Sequence, residues 1–302
     1  MAKAFIAKAI YNFETTDILI DHLKGCKNIR RLCGWENPWQ VPSKSTFSRA
    51  FAQFSEGNLT QDIHQAMVKE HCGDKLAGHI SRDSTAIAAR EKPAKKKSDD
   101  SVAQPKRKPG RPRKGEVVFP KPPKRLDLQP TRPLEDNLKD LPTQCDVGTK
   151  KNSKGYKESW TGYKVKLDCI DGDIPVSTIL TSASLHDSQA AIPLSQMSQE
   201  RITNLYDLMD SAYDAPRIHS FSKNLGHKPI IDNNPRRGEK IYMDPATKAR
   251  FAQRSSAERV NSYLKDNYGG RNIRVKDAAK VMTHLMFGII AITATQLFRL
   301  LE

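Results

Sequence analysis

The chain has 302 residues, which is long enough to bury one large core or two modest ones. Its 50 Lys and Arg residues against 34 Asp and Glu give a net charge of +16, which favours a polyanionic partner, although a merely basic soluble protein would share this excess. The five cysteines are scattered without a C-x2-C pair, which argues against a zinc site or a disulfide scaffold and favours a reduced, cytoplasmic protein.

Residues 1 to about 75 are predicted to be helical. The stretch VPSKSTFSRAFAQF offers a helix cap at Ser43 or Ser45, followed by apolar residues at helical spacing. Lys44 and Arg49 lie beside that cap, so this region could bind a DNA end through a recognition helix. Because no turn signature fixes a helix-turn-helix motif, a small helical bundle that packs on the next domain is slightly favoured.

A strand is predicted at residues 76–89, LAGHISRDSTAIAA. Its β-branched residues suit a strand, whereas Asp83 interrupts the pattern with a residue that strands rarely carry inside. A buried carboxylate is costly unless it is ionised and paired with a metal ion or a cation. Asp83 is therefore a site candidate, and the structural alternative is a turn or a cap formed with Ser84.

A basic, proline-rich segment follows, from Glu91 to Arg125. It holds thirteen Lys and Arg against four Asp and Glu, so nine of the sixteen net positive charges lie here, together with seven prolines. This composition cannot bury enough apolar surface to fold, which predicts an extended or disordered insertion. The linker is predicted to span 91–150, with residues 126–150 irregular.

Within the insertion lies the sequence KRKPGRPRKGE, residues 106–116. Its Gly-Arg-Pro core between basic residues resembles the AT-hook, in which an extended peptide lays arginine side chains in a narrow A·T minor groove. This AT-hook-like segment implies DNA contacts by Arg111 and Arg113. A basic linker that binds any phosphate is an equal alternative.

Residues 160–181 are predicted to form a β-hairpin. Apolar and charged residues alternate along its first strand, and the sequence DGD at 171–173 makes the turn. His186 and Asp187 then follow a strand and lead into a helix. A helix-cap role explains Asp187 at least as well as an active-site role.

The second site candidate is Asp210, in the stretch TNLYDLMDSAYDAP. A short buried strand is predicted to end at this residue, before the chain turns into a helix. A carboxylate at the carboxyl end of a buried strand lies at the usual mouth of an α/β sheet. The flanking Asp207 and Asp214 are interpreted as structural.

The third candidate lies in the stretch FAQRSSAERVNSYLK. On a single helix, at about 100° per residue, Phe251, Arg254, Glu258 and Lys265 fall within an arc of roughly 60°. That face would carry an aromatic ring, two cations and one carboxylate, which suits a hard metal ion beside a phosphate. The alternatives are a surface helix with an Arg254–Glu258 pair at i, i+4, and a capping box that starts at Ser255.

The apolar run Leu285–Phe298 is predicted to be a buried terminal helix. It contains two threonines and a glutamine, and it is too short and too polar for a membrane span. No membrane association is expected.

The spacing F-x2-R-x3-E-x6-K resembles the Y-x2-R-x3-E-x6-K signature of bacterial insertion-sequence transposases of the DDE class. Phe251 stands where that family usually has tyrosine, so ring stacking is kept and the phenol hydroxyl is not. The string D-S-T-A-I at Asp83 is similar to the first catalytic Asp segment of the family. The step at Asp210 is similar to the second.

This resemblance implies an α/β fold with a ribonuclease-H-like mixed sheet flanked by helices. Asp83 and Asp210 would lie on adjacent strands and Glu258 on a helix, and the three would be catalytic and hold two Mg²⁺ or Mn²⁺ ions. Arg254, Lys265 and Phe251 would contact DNA. The reaction would be cleavage at transposon ends, followed by attack of the freed 3′-OH on target DNA.

The same resemblance implies double-stranded DNA as partner, both transposon terminal repeats and target, and a homodimer in a synaptic complex at the bacterial nucleoid. The expected domains are the helical region 1–75 and a DDE catalytic domain at 76–302, interrupted by the linker. Two alternatives stay open: a catalytically inactive transposase-derived protein that binds A·T-rich DNA, and a related nuclease without strand transfer.

Overall fold

The computed structural model describes residues 1–94, 123–151, 154–235 and 238–300. Most of the basic insertion, including Arg111 and Arg113, lies outside the described residues. The extended structure and the DNA contacts predicted for it therefore stay predictions.

Helices occupy most of the first 72 residues, and a mixture of strands and helices follows. The first group is α1 (Ala2–Ile10), α2 (Thr16–Gly25), α3 (Lys27–Leu32), α4 (Lys44–Glu56) and α5 (Leu59–Cys72). The second group is β1 (Leu76–Ala88), α6 (Arg125–Leu128), α7 (Leu134–Asp140), β2 (Asp146–Lys151), β3 (Lys157–Ile170), β4 (Ile174–Ser182), α8 (Ala191–Gln199), β5 (Thr203–Met209), α9 (Pro216–Asn224), β6 (Lys228–Ile231), α10 (Pro245–Phe251), α11 (Ser255–Asp266) and α12 (Ala278–Arg299).

The strands form one mixed sheet. Its order is β2-β3-β1-β5-β6. The strand β4 pairs with the second half of β3, and β2 pairs with the first half. The pairs β1–β3 and β3–β4 are antiparallel, whereas β5 runs parallel to β1 and β6 parallel to β5. An antiparallel meander continued by two parallel strands, with helices around it, is the ribonuclease-H-like α/β arrangement. The predicted fold class is therefore confirmed, and so is the hairpin at 160–181.

The N-terminal helices pack on the C-terminal helix α12. The ring of Phe5 stacks on that of Phe287 with centroids 5.4 Å apart and meets Phe47 edge-on at 5.7 Å. Each such aromatic pair contributes about 0.5–1.5 kcal/mol beyond its buried area. Ser43 caps α4, as one of the two predicted positions. The structure thus contains the helical bundle that packs on the next part of the chain.

Helix α12 is the central core helix. It spans 22 residues, more than the run Leu285–Phe298, and by length and composition alone it could cross a bilayer. Most of its most apolar window is instead buried within the protein, against α11, β3 and the N-terminal helices. Its apolar composition is therefore accounted for by burial inside the fold.

The prediction that residues 126–150 are irregular is wrong, because α6, α7 and β2 form there. These elements are short and depend on tertiary contacts rather than on local pattern. The buried Asn137 side chain donates hydrogen bonds to Gln129 O and Gln196 Oε1, both at 2.9 Å. Those contacts tie α7 to α8, which sequence periodicity could not indicate.

A buried ion pair fixes β1 against β3 and α8. Arg82 Nε and Nη2 donate to the two carboxylate oxygens of Asp168, each at 2.7 Å, and Ser198 Oγ donates to the same carboxylate at 2.7 Å. Successive side chains of a strand point to opposite faces of the sheet. The side chain that follows, Asp83, consequently lies on the face covered by α11.

Candidate active site

The register between β1 and β5 brings two of the predicted acids together. Ser81 pairs with Leu208 in the parallel ladder, so two residues further along each strand come Asp83 and Asp210. Adjacent strands lie about 4.8 Å apart, and equal steps along paired strands lead to the same face. The two carboxylates therefore adjoin at the carboxyl end of β5, where β1 continues beyond its neighbour.

Asp83 is mostly buried and only partly compensated. Its side chain is 19% exposed, its Oδ2 accepts a hydrogen bond from Asn261 Nδ2 at 2.9 Å, and Arg254 Nη1 lies 3.8 Å from Oδ1. Burial raises the pKa of Asp83 to about 6, and the neighbouring Asp210 adds to the rise, whereas Arg254 and Asn261 oppose it. The carboxyl group therefore changes charge close to neutral pH.

Asp210 begins a tight turn directly after β5. Its Oδ1 accepts a hydrogen bond from Ala212 N at 2.9 Å, which caps the 3-10 turn Ser211–Tyr213. Burial raises the pKa of Asp210, while the Ala212 N–H and the Arg254 guanidinium oppose that rise. The chain turns through a 3-10 helix here, and α9 starts only at Pro216, later than the predicted turn into a helix.

Glu258 joins the cluster through a shared cation. Arg254 Nη2 donates to Glu258 Oε1, and the same guanidinium faces Asp83 and opposes the rise in the pKa of Asp210. Asp83 and Glu258, from distant segments of the chain, thus face the same arginine, and Asp210 lies within its electrostatic reach. The i, i+4 pair expected of an ordinary surface helix does form, but Arg254 is itself only 18% exposed and also faces the sheet.

The sequence predicts that Phe251 to Lys265 form a single helix, and this prediction is wrong. Helix α10 ends at Phe251, a 3-10 turn covers Ala252–Arg254, and α11 starts at Ser255. Ser81 Oγ donates to Gln253 O at 3.1 Å, which holds this turn against β1. Residues i and i+3 eclipse in a 3-10 turn, so the Arg254 guanidinium lies over the Phe251 ring, 5.7 Å from its centroid.

The capping box at Ser255, one of the two structural alternatives for this stretch, does not form. No side chain caps the start of α11, and Ser255 Oγ accepts a hydrogen bond from Arg259 Nη1 at 2.7 Å instead. Glu258 is consequently free to face Arg254.

Lys265 lies two turns along α11 from Glu258, about 10 Å away by helical rise. It is half-buried, and burial lowers its pKa, as do the nearby Lys150 and Arg271. Asp83 is among the groups that oppose this shift, so Lys265 lies within the electrostatic field of the acidic cluster. It extends the site as a cationic surface towards β2.

The flanking acids have structural partners, in keeping with their interpretation. Asp207 is buried, accepts from Ser222 Oγ at 2.5 Å and contacts His227 Nδ1 at 3.2 Å. Asp214 contacts His219 Nε2 at 3.0 Å. These bonds fix α9 around the strand that carries Asp210.

Lys166 and Asp187 also belong to this site; the sequence left a helix-cap role and an active-site role open for Asp187 and did not single out Lys166. The buried Lys166 ammonium donates to Asp187, and Lys164 Nζ lies 3.3 Å from the same carboxylate. Burial works against ionisation of Asp187, yet the two lysines hold its pKa below the usual range. Asp187 in turn raises the pKa of Asp210. The helix cap at this step is His186, not Asp187.

Two sequence signals point to Lys166 and to Asn261, which also belongs to this site. Lys164, Lys166 and Asp168 recur at period two between apolar residues of β3, which marks a charged row along the sheet. Asn261 follows Glu258 by three residues and therefore lies on nearly the same side of α11. Its Oδ1 is buried without a hydrogen-bond partner among the described residues.

The donor chemistry of this cluster fits a hard divalent cation. Carboxylate and amide oxygens suit Mg²⁺ or Mn²⁺, and Asp83, Asp210 and the unpartnered Asn261 Oδ1 lie together. Within the described ranges, however, no three His, Cys, Asp or Glu side chains are already arranged to hold a metal ion. The Arg254 guanidinium lies between Asp83 and Glu258 and supplies positive charge there.

The chain matches a known protein family. Residues 128–294, just over half of the chain, match the family model described as the transposase DDE domain. That segment contains Asp210 and Glu258 but starts after Asp83. No curated protein and no solved structure matches the chain.

Proposed function

Because the chain belongs to the transposase DDE-domain family, we propose that it is an insertion-sequence transposase that cleaves DNA at transposon ends and joins the freed 3′-OH to target DNA. The family is one of nuclease-type enzymes that act on DNA and use divalent metal ions. The observation that carries the proposal is the placement of Asp83 and Asp210 on adjoining strands, with Arg254 facing Asp83 and bound to Glu258 from a distant part of the sequence.

In this proposal Asp83, Asp210 and Glu258 are the catalytic, metal-holding acids. Two Mg²⁺ or Mn²⁺ ions bound there would activate the attacking oxygen and stabilise the leaving oxygen. Glu258 is half exposed and bound by one guanidinium, so it can turn towards the two aspartates once Arg254 turns away. Asn261 orients Asp83 by its hydrogen bond, and Lys166 keeps Asp187 ionised beside Asp210.

The cationic residues of the same helix would hold the DNA backbone. Arg254, released from Glu258, can pair with a phosphate through two parallel hydrogen bonds, and Lys265 adds a point charge further along α11. Phe251 supports the Arg254 guanidinium with its ring and offers a surface on which a base or sugar can pack. In this proposal the residues of the F-x2-R-x3-E-x6-K signature together form one surface that faces the DNA.

The test is a cleavage assay on DNA that carries the terminal repeats of the element, with Mg²⁺ or Mn²⁺. Asp83→Asn, Asp210→Asn and Glu258→Gln should each abolish strand cleavage, whereas the exposed control Glu200→Gln should retain it. Full cleavage by any of the three acid variants would reject the assignment. Joining of the cleaved ends to a target plasmid distinguishes a transposase from a nuclease that lacks strand transfer.

A catalytically inactive DNA-binding relative is the second candidate, and one observation favours it. The Arg254 guanidinium lies between Asp83 and Glu258, and the described acids are not arranged as a complete metal site. This candidate predicts that the protein binds DNA equally well with and without metal ions and never cleaves it.

The insertion is proposed to bind A·T-rich DNA through Arg111 and Arg113. Replacing both with alanine should lower the affinity for A·T-rich duplexes and reduce the slope of log K against log salt concentration by about two. An unchanged slope would rule out these arginines as phosphate contacts.

The proposed domains are the helical region 1–75 and a catalytic part at 76–302, and the proposed assembly is a homodimer on paired DNA ends at the bacterial nucleoid. Light scattering of the protein with and without terminal-repeat DNA tests the assembly. A strictly monomeric complex with two DNA ends would contradict it.

A further inference from the structure

A large basic cleft separates the N-terminal helices from the sheet part of the protein. Its volume is about 610 Å³. One wall is formed by α1 and the first turns of α2 and α4. The other is formed by the residues after β1 and by the segment that leads into α12. Six cationic side chains line this basic cleft: Lys8, Lys44, Arg90, Arg274, Lys276 and Lys280.

The acids of the basic cleft are already paired. Glu14 and Asp17 are its two carboxylates, and they bind Arg274 at 3.1 Å and Lys44 at 2.5 Å. None of the described carboxylates lies within ion-pair distance of the other cationic side chains. Positive charge is thus concentrated and uncompensated in a concave surface, which favours an anionic ligand.

Lys8 is the most constrained of these cations. It is only 9% exposed, and its ammonium donates just one hydrogen bond in the described structure, to Glu14 O at 3.4 Å. Burial lowers its pKa to about 8, and Arg274 contributes to the decrease. An anion in the basic cleft would offset the cost of keeping this buried ammonium charged.

Three helices also begin at the basic cleft. The first turns of α2, α4 and α12 contribute Thr16, Lys44 and Lys280 to its walls. Thr15, Ser43 and Asp277 each cap one N–H group of these helices, and the partial positive charge of the helix starts still favours phosphate oxygens. This adds to the charge of the side chains.

The basic cleft adjoins the candidate active site along two paths. Arg90 follows β1, roughly 20 Å of extended chain beyond Asp83. Asn12 Nδ2, at the end of α1, donates to Asp266 O at 3.0 Å, so the N-terminal wall touches the end of α11 next to Lys265. Roughly 20 Å corresponds to about six phosphates along one DNA strand.

We propose that the basic cleft binds the phosphate backbone of duplex DNA that flanks the cleaved bond, in a contact that needs no metal ion. The proposal rests on the proposed function for the choice of DNA as the anion. It assigns DNA binding to a surface built jointly by the N-terminal helices and the approach to α12, rather than to the N-terminal helices alone.

The test compares two triple variants of equal charge. Arg90→Gln with Lys276→Gln and Lys280→Gln removes three unpaired cations from the basic cleft. Lys139→Gln with Lys223→Gln and Lys228→Gln removes three exposed lysines from α7, α9 and β6. Binding of a labelled 30-base-pair duplex is measured by fluorescence anisotropy over a salt series with EDTA present.

We expect the basic-cleft variant to bind at least about tenfold more weakly at low salt and to lose about two to three from the salt slope, because each phosphate contact contributes about 0.9. For the control variant, the salt slope should fall by less than about one. Equal slopes for the two triple variants would overturn the proposal. If the basic-cleft variant loses its helical circular dichroism, Lys276→Gln alone, at an exposed side chain, should still lower the slope by about one.

The EDTA condition separates this proposal from the proposed function. If the acid variants still cleave DNA but the basic-cleft variant binds poorly, the assignment of the active site fails and the basic cleft stands. If the acid variants lose cleavage while both triple variants bind DNA alike, the assignment of the active site stands and the proposal for the basic cleft fails.

Discussion

Arg82 and Asp83 are neighbours in β1, yet they belong to charge clusters of opposite character. On one face of the sheet, Arg82 and Asp168 are almost completely buried, and both oxygens of the carboxylate accept hydrogen bonds at 2.7 Å. On the other face, Asp83 has the Asn261 amide and the Ser84 backbone N–H as donors, a cation only at 3.8 Å, and a second carboxylate beside it. Burial is common to both clusters, so burial alone does not indicate function. The feature that indicates function is a buried charge that its neighbours compensate only in part.

The largest expected effect is on catalysis. Asp210→Asn should lower the rate of strand cleavage by about a thousandfold or more, because the lost ligand removes several kcal/mol of stabilisation from the transition state. Its affinity for duplex DNA in EDTA should change less than about threefold. Single-turnover cleavage and equilibrium binding measure the two quantities. A loss of binding that fully accounts for the loss of cleavage would contradict a catalytic role.

The next effect is on folding and concerns the other face. Asp168→Asn should lower the free energy of unfolding by about 3–5 kcal/mol, because it leaves the Arg82 guanidinium buried without a counter-charge. Asp83→Asn is the matched variant one residue away and should cost little or even stabilise the protein at pH 7. Urea unfolding followed by circular dichroism measures both. Similar losses in the two variants would remove the distinction between the clusters.

The pH dependence of stability sharpens the comparison. The pKa of Asp83 is about 6 in the folded protein and about 3.9 when unfolded, so between these values the folded state binds more protons. Its contribution to stability is therefore fully present at low pH and decreases as the pH rises from about 4 to 6, by roughly 2–3 kcal/mol in total.

Relative to wild type, Asp83→Asn should then gain stability over that range and change no further above about pH 7. The measurement is urea unfolding of both proteins in EDTA at several pH values. A difference between them that does not depend on pH would show that Asp83 is not held in an environment unfavourable to its charge.

The smallest expected effect concerns the ring under Arg254. Phe251→Ala should lower the cleavage rate about two- to fivefold, because a cation–π contact at a partly exposed site contributes about 0.5–1 kcal/mol. Phe251→Tyr keeps the ring and should stay within about twofold of wild type. Equal rates for the alanine and tyrosine variants would exclude a role for the ring.

Local sequence pattern predicted the acids but not how they meet. Asp83 stood out because a charged residue inside a strand conflicts with strand propensity, and Asp210 because the carboxyl end of a buried strand is the usual mouth of an α/β sheet. Their juxtaposition depends on the parallel register that sets Ser81 against Leu208, which local pattern does not encode. Only a resemblance to transposases linked the two in advance.

The features that were missed all depend on tertiary contacts. Residues 126–150 read as irregular because their helices are short and are stabilised from outside by bonds such as those of Asn137. The 3-10 turn before α11 is held by Ser81, which is far away in sequence. Lys166 in β3 meets Asp187, which lies beyond β4. Periodicity cannot report a contact between distant segments.

The most direct test of the central claim is to measure the affinity of the protein for Mn²⁺ in the presence of uncleaved duplex DNA. The electron paramagnetic resonance signal of the free ion reports how much Mn²⁺ is bound. If Asp83, Asp210 and Glu258 form one site, wild type should bind the ion, and Asp83→Asn, Asp210→Asn and Glu258→Gln should each weaken binding by about tenfold or more. The control Glu200→Gln should match wild type. Unchanged Mn²⁺ binding in all three acid variants would contradict the account.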